Sequence, residues 1–110
     1  MKIIAFFNLK NKKDEKEFLK WVIERQTKVF QNKLKKMKDF KVCRLFDADN
    51  YKDLPQMVQI FDWDGTPEEW RETLVWMRDP LNEEIYKITQ EWLEYCDSDS
   101  TQILYAEKDN

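Results

Sequence analysis

Four polar residues stand within strand-like, mostly apolar stretches of this 110-residue sequence, and they are the residues that could do chemistry. Asn8 lies in KIIAFFNLK, Arg44 in FKVCRLFD, Gln59 in QMVQIFDWD and Tyr105 in TQILYAE. Side chains of a strand alternate between two faces, and the alternation predicts that all four polar groups share one face. A few polar groups set in an apolar lining are typical of a pocket that orients a small molecule.

The chemistry expected of these residues is hydrogen bonding, proton transfer and charge neutralisation. We predict that Asn8 holds a substrate carbonyl, Arg44 neutralises a forming phenolate or enolate, and Tyr105 donates or accepts a proton. The side chains predicted to bind the ligand on the same face are Phe6, Phe46, Gln59, Phe61 and Trp63. The alternative is that the polar groups pair with one another or with a partner chain inside an interface.

The composition argues against metal and cofactor chemistry. The sequence has no His and only one Gly, so a His-ligated metal, a haem and a glycine-rich phosphate loop are not expected. We therefore predict no metal and no cofactor. A carboxylate cation site is conceivable, but solvated turns are the favoured interpretation of the acidic residues concerned, which are Asp47, Asp49, Asp53, Asp62 and Asp64.

Charge and cysteine content bear on the partners and the compartment. With 19 basic and 22 acidic residues the net charge is −3, which argues against nucleic acid as a partner. The aromatic first strand IIAFFNL is similar to one segment of RNA-recognition modules, but QMVQIFDWD lacks the Gly and basic residues of the matching segment. No export signal or bilayer-length apolar segment is seen, so we expect a cytoplasmic protein with no membrane partner. Cys43, beneath a helix, and Cys96 are predicted to be free thiols.

The element order predicts how these residues are positioned. Hydrophobic periodicity indicates strands over 2–10, 40–47, 56–63 and 101–107, and helices over 14–36 and from Pro67 to about 96. Thr66, Pro67 and Glu69 form a helix-start signal, and Asp79-Pro80 predicts a kink or two helices with Asp79 capping the second. The order strand-helix-strand-strand-helix-strand predicts one α+β domain over 1–110. It would be ferredoxin-like, with an antiparallel sheet and both helices on one face.

The alternation also predicts the composition of the two sheet faces. The face under the helices is predicted to carry Ile3, Ala5, Phe7, Leu9, Cys43, Leu45, Val58, Ile60, Leu104 and Ala106. The second face is predicted to carry Ile4, Phe6, Asn8, Val42, Arg44, Phe46, Met57, Gln59, Phe61, Trp63, Ile103 and Tyr105. So large an aromatic surface would not stay in water, and a second copy related by a twofold axis is the expected cover.

The join WDGTPEEW and the segment IYKITQEW after Asp79-Pro80 resemble those of the dimeric α/β-barrel superfamily, and EYCDSDSTQILYAE is similar to its REDY-like proteins. The resemblance implies a homodimer in which two ferredoxin-like sheets pack face to face around an apolar or aromatic small molecule. It implies a cofactor-free monooxygenase or cyclase of secondary metabolism. The alternative is a non-enzymatic ligand-binding or stress-related barrel protein with a filled dimer core.

The resemblance also bears on single residues. Monooxygenases of the superfamily place an Asn on the first strand, which Asn8 matches, and use a Trp for which the candidates are Trp63, Trp70 and Trp76. Haem-degrading members need a His on the second helical region, and this chain has Asn82 where relatives often have it. Haem degradation is therefore not expected.

Overall fold

The computed structural model describes residues 1–46 and 55–107 and has four strands and four α-helices in that part of the chain. The elements are β1 (Lys2–Leu9), α1 (Glu15–Trp21), α2 (Thr27–Lys33), β2 (Met37–Arg44), β3 (Met57–Trp63), α3 (Pro67–Met77), α4 (Glu83–Tyr95) and β4 (Cys96–Ala106). The strand order across the sheet is β2-β3-β1-β4, and all neighbouring pairs are antiparallel. This arrangement confirms the predicted ferredoxin-like α+β fold.

The first helical region is continuous but changes its pitch. A 3₁₀ turn, Lys12–Asp14, leads into α1, and a π-helical turn, Val22–Gln26, joins α1 to α2 without leaving helical dihedral angles. The predicted apolar stripe is buried along its whole length. The helix ends at Lys33, three residues before the predicted end, because Leu34 leaves the helical region with φ −110° and ψ 83°.

The second helical region begins as predicted and divides in two. The Thr66 hydroxyl accepts a hydrogen bond from Glu69 N at 3.2 Å, and Pro67 occupies the first helical position. Of the two alternatives at Asp79-Pro80, two helices is correct. Asn82 rather than Asp79 stands before α4, and the Asp79 carboxylate instead accepts from Leu81 N at 2.9 Å, which closes the turn between the helices.

Strands β2 and β4 begin earlier in the chain than predicted, and each contains an irregularity in its pairing. β2 begins at Met37, and Asp39, with φ 54°, absorbs a register shift against β3. β4 begins at Cys96, so the predicted exit loop CDSDS belongs to the strand. Its register shifts opposite the segment from Phe6 to Asn8, where the Ser100 hydroxyl accepts from Asn8 N at 2.8 Å.

The predicted sheet faces are wrong for three of the four strands. Ala5 pairs with Gln59 on β3 and with Ile103 on β4, and residues directly opposite in an antiparallel pair share a face. The residues of β2, β3 and β4 that join Ile3, Ala5 and Phe7 beneath the helices are therefore Val42, Arg44, Met57, Gln59, Phe61, Ile103 and Tyr105. Both faces of β1 are apolar, so alternation within each strand could not fix which faces coincide.

We name the other side of the sheet, which bears Ile4, Phe6, Val58 and Ile60, the open face, and it is also apolar. Across β1 and β3, Ile4 pairs with Ile60 and Phe6 with Val58. Val58 is buried, yet it is not part of the buried cluster that the helices form with the sheet. The edge strands add Cys43, Leu104 and Ala106 to this face. The open face thus carries residues that the sequence predicted for the helix-covered side.

The two cysteines are free thiols, as predicted, but they differ in setting. Cys43 is exposed on the open face, so its predicted place beneath a helix is wrong for the same reason of register. Cys96 is fully buried where α4 passes into β4, and burial raises the pKa of its thiol. A raised thiol pKa leaves little thiolate at neutral pH, so Cys96 is a packing residue.

A partly exposed ion pair connects the π-helical turn to α4. The Arg25 guanidinium donates two hydrogen bonds to the Glu91 carboxylate, both at 2.6 Å, and Trp21 Nε1 donates a third at 3.2 Å. The hydrogen bonds from Arg25 hold the pKa of Glu91 below its ordinary value of 4.5. Because Arg25 directly precedes Gln26 in the chain, this pair also fixes the position of Gln26.

We expect Glu91→Gln to lower the free energy of unfolding at pH 7 by about 1 kcal/mol, since the pair is partly exposed and screened by solvent. The folded pKa of Glu91 is lowered, so the stabilisation is complete above pH 4.5 and is lost as pH falls through the folded pKa. Urea denaturation between pH 2 and pH 7 measures the difference. The exposed Glu94→Gln on the same helix is the control, and a Glu91→Gln deficit that persists unchanged at pH 2 would contradict the account.

Candidate functional site

A cavity of about 180 Å³ lies between the helices and the helix-covered face of the sheet. It is larger than an engineered protein cavity of roughly 150 Å³ that holds benzene. Most of its wall is apolar or aromatic side chain. The lining residues are Ala5, Gln26, Phe30, Phe40, Gln59, Phe61, Trp70, Leu74, Met77, Arg78, Ile88, Thr89, Trp92, Leu93, Ser98, Thr101 and Ile103.

The wall contains almost no charge. Arg78 is the single ionisable side chain among the described lining residues, and it is exposed. Ser98 is also exposed, so the lining extends from the core to the protein surface. The interior of the cavity consequently favours a neutral occupant, because an unpaired charge transferred there would lose its hydration without compensation.

Two buried amide side chains form a hydrogen bond in the cavity wall. Gln59 Nε2 donates to Gln26 Oε1 at 2.7 Å, and the two residues are only 6% and 3% exposed. Gln26 ends the π-helical turn, and Gln59 lies at the middle of β3, so the bond joins the helical layer to the sheet. The amide N–H groups of Gln26 and the carbonyl oxygen of Gln59 take no part in this bond. Both residues line the cavity.

Three further lining residues have polar atoms with no hydrogen-bond partner in the described part of the chain. These atoms are Trp70 Nε1, Trp92 Nε1 and Thr101 Oγ1, and each is inaccessible to solvent. Buried polar atoms without partners are rare in native proteins, since each costs free energy. Because a water-sized probe does not reach these three atoms, their residues line the cavity with other atoms of their side chains.

The aromatic side of the cavity is built by packing between α3 and β3. The rings of Phe61 and Trp70 have centroids 4.9 Å apart, and Phe40 extends the group from β2 at 6.2 Å from Phe61. Trp63 stands behind Trp70 at 5.2 Å, with its Nε1 donating to Thr66 O at 3.1 Å. Trp63 therefore supports the wall rather than lining it.

Two of the ligand-binding residues predicted from sequence, Gln59 and Phe61, meet in this cavity. The other two phenylalanines lie elsewhere. Phe6 belongs to the open face, and Phe46 follows β2 and is 80% exposed. Among the three tryptophans named through the resemblance, Trp70 lines the cavity, whereas Trp76 is exposed on α3.

The three residues predicted to be catalytic are not brought together by the fold. Asn8 Oδ1 accepts from Gln56 N at 2.9 Å, which ties the end of β1 to the start of β3. Arg44 is 63% exposed and lies 3.5 Å from the Glu15 carboxylate. Tyr105 pairs with Ile3 near the start of β1, five residues or roughly 16 Å from Asn8.

Gln26 is a polar residue of the cavity wall that was not predicted from the sequence. Its position carried a signal, because it stands four residues after Val22 and four before Phe30, on the buried stripe of the helix. A polar residue on an apolar helical stripe must find a buried partner. Gln59, a polar residue within an apolar strand, is the matching case in the sheet.

The described residues offer little to a metal. Among residues 1–46 and 55–107 no group of three carboxylates or thiols could hold a metal ion. In the same ranges, no helix is long and apolar enough to cross a bilayer. The Asp62 carboxylate pairs with Lys2 Nζ at 2.9 Å. Asp47, Asp49 and Asp53 lie outside the described residues.

Comparison with known proteins identifies the family. The family model for REDY-like protein HapK matches residues 1–107, and the chain belongs to this family. The family is of the ferredoxin-like, antibiotic-biosynthesis-monooxygenase type, in agreement with the four-stranded antiparallel sheet covered by helices. No curated protein matches the chain.

The amide pair predicts an asymmetric response to mutation. Gln59→Leu should lower the free energy of unfolding by roughly 1–3 kcal/mol, because Gln26 is left buried without its partner. Replacing both residues by Leu removes both polar groups and should restore much of the loss. Urea denaturation measures Gln59→Leu, Gln26→Leu and the double variant, with the exposed Gln31→Leu as control. A double variant whose loss equals the sum of the single losses would contradict this interpretation.

Proposed function

We propose that this protein binds a small aromatic molecule in the cavity between α2, α3, α4 and the sheet. The observation that carries the proposal is a cavity whose described wall is mostly apolar and aromatic and includes the buried Gln26–Gln59 amide pair. The volume of about 180 Å³ suits a ligand of one or two rings. The aromatic contact of Phe61 with Trp70 supports the same ligand class, which is also the class that the resemblance to REDY-like proteins implies.

Binding is favoured over acid–base catalysis by the composition of the wall. Oxidation of an electron-rich aromatic compound by O₂ without a cofactor begins with loss of a proton from the substrate, which requires a base. Among the described lining residues there is no carboxylate, Lys, Cys or Tyr, and the guanidinium of Arg78 donates hydrogen bonds and accepts none. We therefore propose a ligand-binding barrel protein. We also propose that it has no resident cofactor and acts in the cytoplasm.

A cyclase or monooxygenase of secondary metabolism is the second candidate, and the amide pair favours it. Gln26 and Gln59 together present a donor and an acceptor beside the cavity, which could fold a flexible substrate or hold an enol. The test is a panel of quinols, anthrones and pyrrolic compounds incubated with the purified protein after metal analysis. Product formation that Gln59→Leu abolishes would establish this candidate, and binding without turnover would establish the first.

Filling the cavity should abolish binding. Leu74 lines the cavity from α3, and Leu74→Trp would place an indole in the space, so we expect affinity for 1-naphthol to fall at least tenfold. Isothermal titration calorimetry measures the affinity. Leu81→Trp is the matched control, because Leu81 is exposed just after α3 and adds the same side chain in solvent. Equal binding by the two variants would show that naphthol does not occupy this cavity.

We further propose that two copies of the chain pack through their open faces as a homodimer. The open face carries Ile4, Phe6 and Ile60 at the centre of the sheet, and every described helix that packs on the sheet does so from the other side. A twofold axis would set this surface against itself, which is the simplest way to cover it. The face-to-face barrel implied by family resemblance has the same arrangement.

A charge at the centre of the open face should dissociate the dimer. We expect Ile60→Lys to convert a species of twice the 13.6 kDa chain mass into a monomer, because dimerisation would bury an unpaired ammonium. Equilibrium sedimentation at micromolar concentration measures the mass. Val75→Lys on the exposed side of α3 should leave the dimer intact. A parent protein that sediments as a monomer would refute the open-face interface.

A further inference from the structure

We infer that the ligand is an aromatic carboxylic acid whose rings occupy the cavity and whose carboxylate pairs with Arg78 where the cavity opens to solvent. The inference rests on the proposed function, because it names the chemical class that the same cavity would bind. It narrows that class from aromatic molecules in general to those that carry one negative charge at one end.

Arg78 stands where the cavity reaches the protein surface. It lines the cavity directly after Met77, whose buried side chain is also part of the wall, and it is itself exposed. The end of α3 fixes its backbone, because Arg78 N donates to Val75 O at 3.1 Å. The residue therefore starts at the cavity wall and is open to solvent, so a ligand that leaves the cavity by this side meets a positive charge.

The guanidinium of Arg78 has no carboxylate partner in the part of the chain that the structure describes. The sequence has four arginines, and three of them form ion pairs with glutamates, namely Arg25, Arg44 and Arg71. The carboxylate next to Arg78 in the sequence, that of Asp79, accepts from Leu81 N at 2.9 Å within the turn before α4. Arg78 is thus the arginine that an acidic group from outside the chain could pair with.

The chemistry of the guanidinium selects the acidic group. Its N–H donors form a planar fork that matches the two oxygens of a carboxylate. Arg78 is the single ionisable side chain of the described lining, so it balances one negative charge. A phosphate monoester carries close to two negative charges at neutral pH and would be left partly unbalanced. A carboxylate is therefore the acid that fits.

The cavity divides such a ligand into two parts. Its volume of about 180 Å³ and the contact of Phe61 with Trp70, whose ring centroids are 4.9 Å apart, suit one or two aromatic rings. A charge placed deep within this wall would lose its hydration without a partner, so the rings enter and the carboxylate stays beside Arg78. The ion pair remains partly in water, so its contribution to affinity is modest and its main effect is selectivity.

Two compounds that differ in charge test the inference. 1-Naphthaleneacetate and 1-naphthaleneacetamide have the same rings and nearly the same shape, and only the first is an anion at neutral pH. Isothermal titration calorimetry measures both dissociation constants with the parent, Arg78→Gln and Arg71→Gln. Arg71 is exposed on α3 and does not line the cavity, so Arg71→Gln is the matched control for the loss of one positive charge.

The parent and Arg71→Gln should bind the acetate roughly 3- to 10-fold more tightly than the acetamide, and Arg78→Gln should bind the two compounds equally. Added salt should reduce the preference for the acetate, because it screens a partly exposed ion pair. In ¹⁵N-resolved NMR spectra of the parent, the Nε–H resonance of Arg78 should shift more with the acetate than with the acetamide. This second measurement needs no variant, so it decides the question even if Arg78→Gln does not fold.

Three results would overturn the inference, and they can be told apart. Equal or weaker binding of the acetate by the parent, with no specific shift of the Arg78 resonance, would leave a cavity that binds rings without selecting an acid. The same loss of preference in Arg71→Gln and Arg78→Gln would assign the preference to the overall surface charge. Failure of both compounds and of 1-naphthol to bind at millimolar concentration would refute the proposed function itself.

Discussion

The hydrogen bond between Gln26 and Gln59 is the contact that the architecture of the site depends on. Two amides are buried in a core that is mostly apolar, and a hydrogen bond of 2.7 Å joins them. Hydrogen bonding is directional and apolar packing is not, so this bond fixes how the helical segment sits over β3. The π-helical turn brings Gln26 to its place, and the Arg25–Glu91 pair holds that turn against α4.

The cavity follows from the same constraint. Two amides that must meet between layers keep α2 at a set distance from the sheet, and the small Ala5 side chain on the neighbouring strand leaves space beside them. The large aromatic rings of α3 and α4 close that space from the side without filling it. A molecule that occupied it would add packing contacts with the apolar and aromatic wall.

Much of the fold was predictable because its signals are local. Thr66 and Pro67 mark the start of α3, Asp79-Pro80 separates two helices, and the element order defines the sheet topology. The register between strands was not predictable, because Ile4 and Phe6 are as apolar as Ile3 and Phe7 and either side of β1 could have faced the helices. Gln59 and Phe61 were predicted to bind a ligand and both line the cavity, although on the opposite side of the sheet from the one expected. Asn8, Arg44 and Tyr105 were chosen by residue type alone, which says nothing of the distances between strand positions.

We thus assign ligand binding to the helix-covered face of the sheet and association of two copies to the open face. A crystal structure of the protein soaked with 1-naphthol tests this division most directly. The predicted result is electron density for the compound in the cavity, between Phe61, Trp70 and the Gln26–Gln59 pair. Density for the compound on the open face between two sheets, with the space beneath the helices closed, would contradict it.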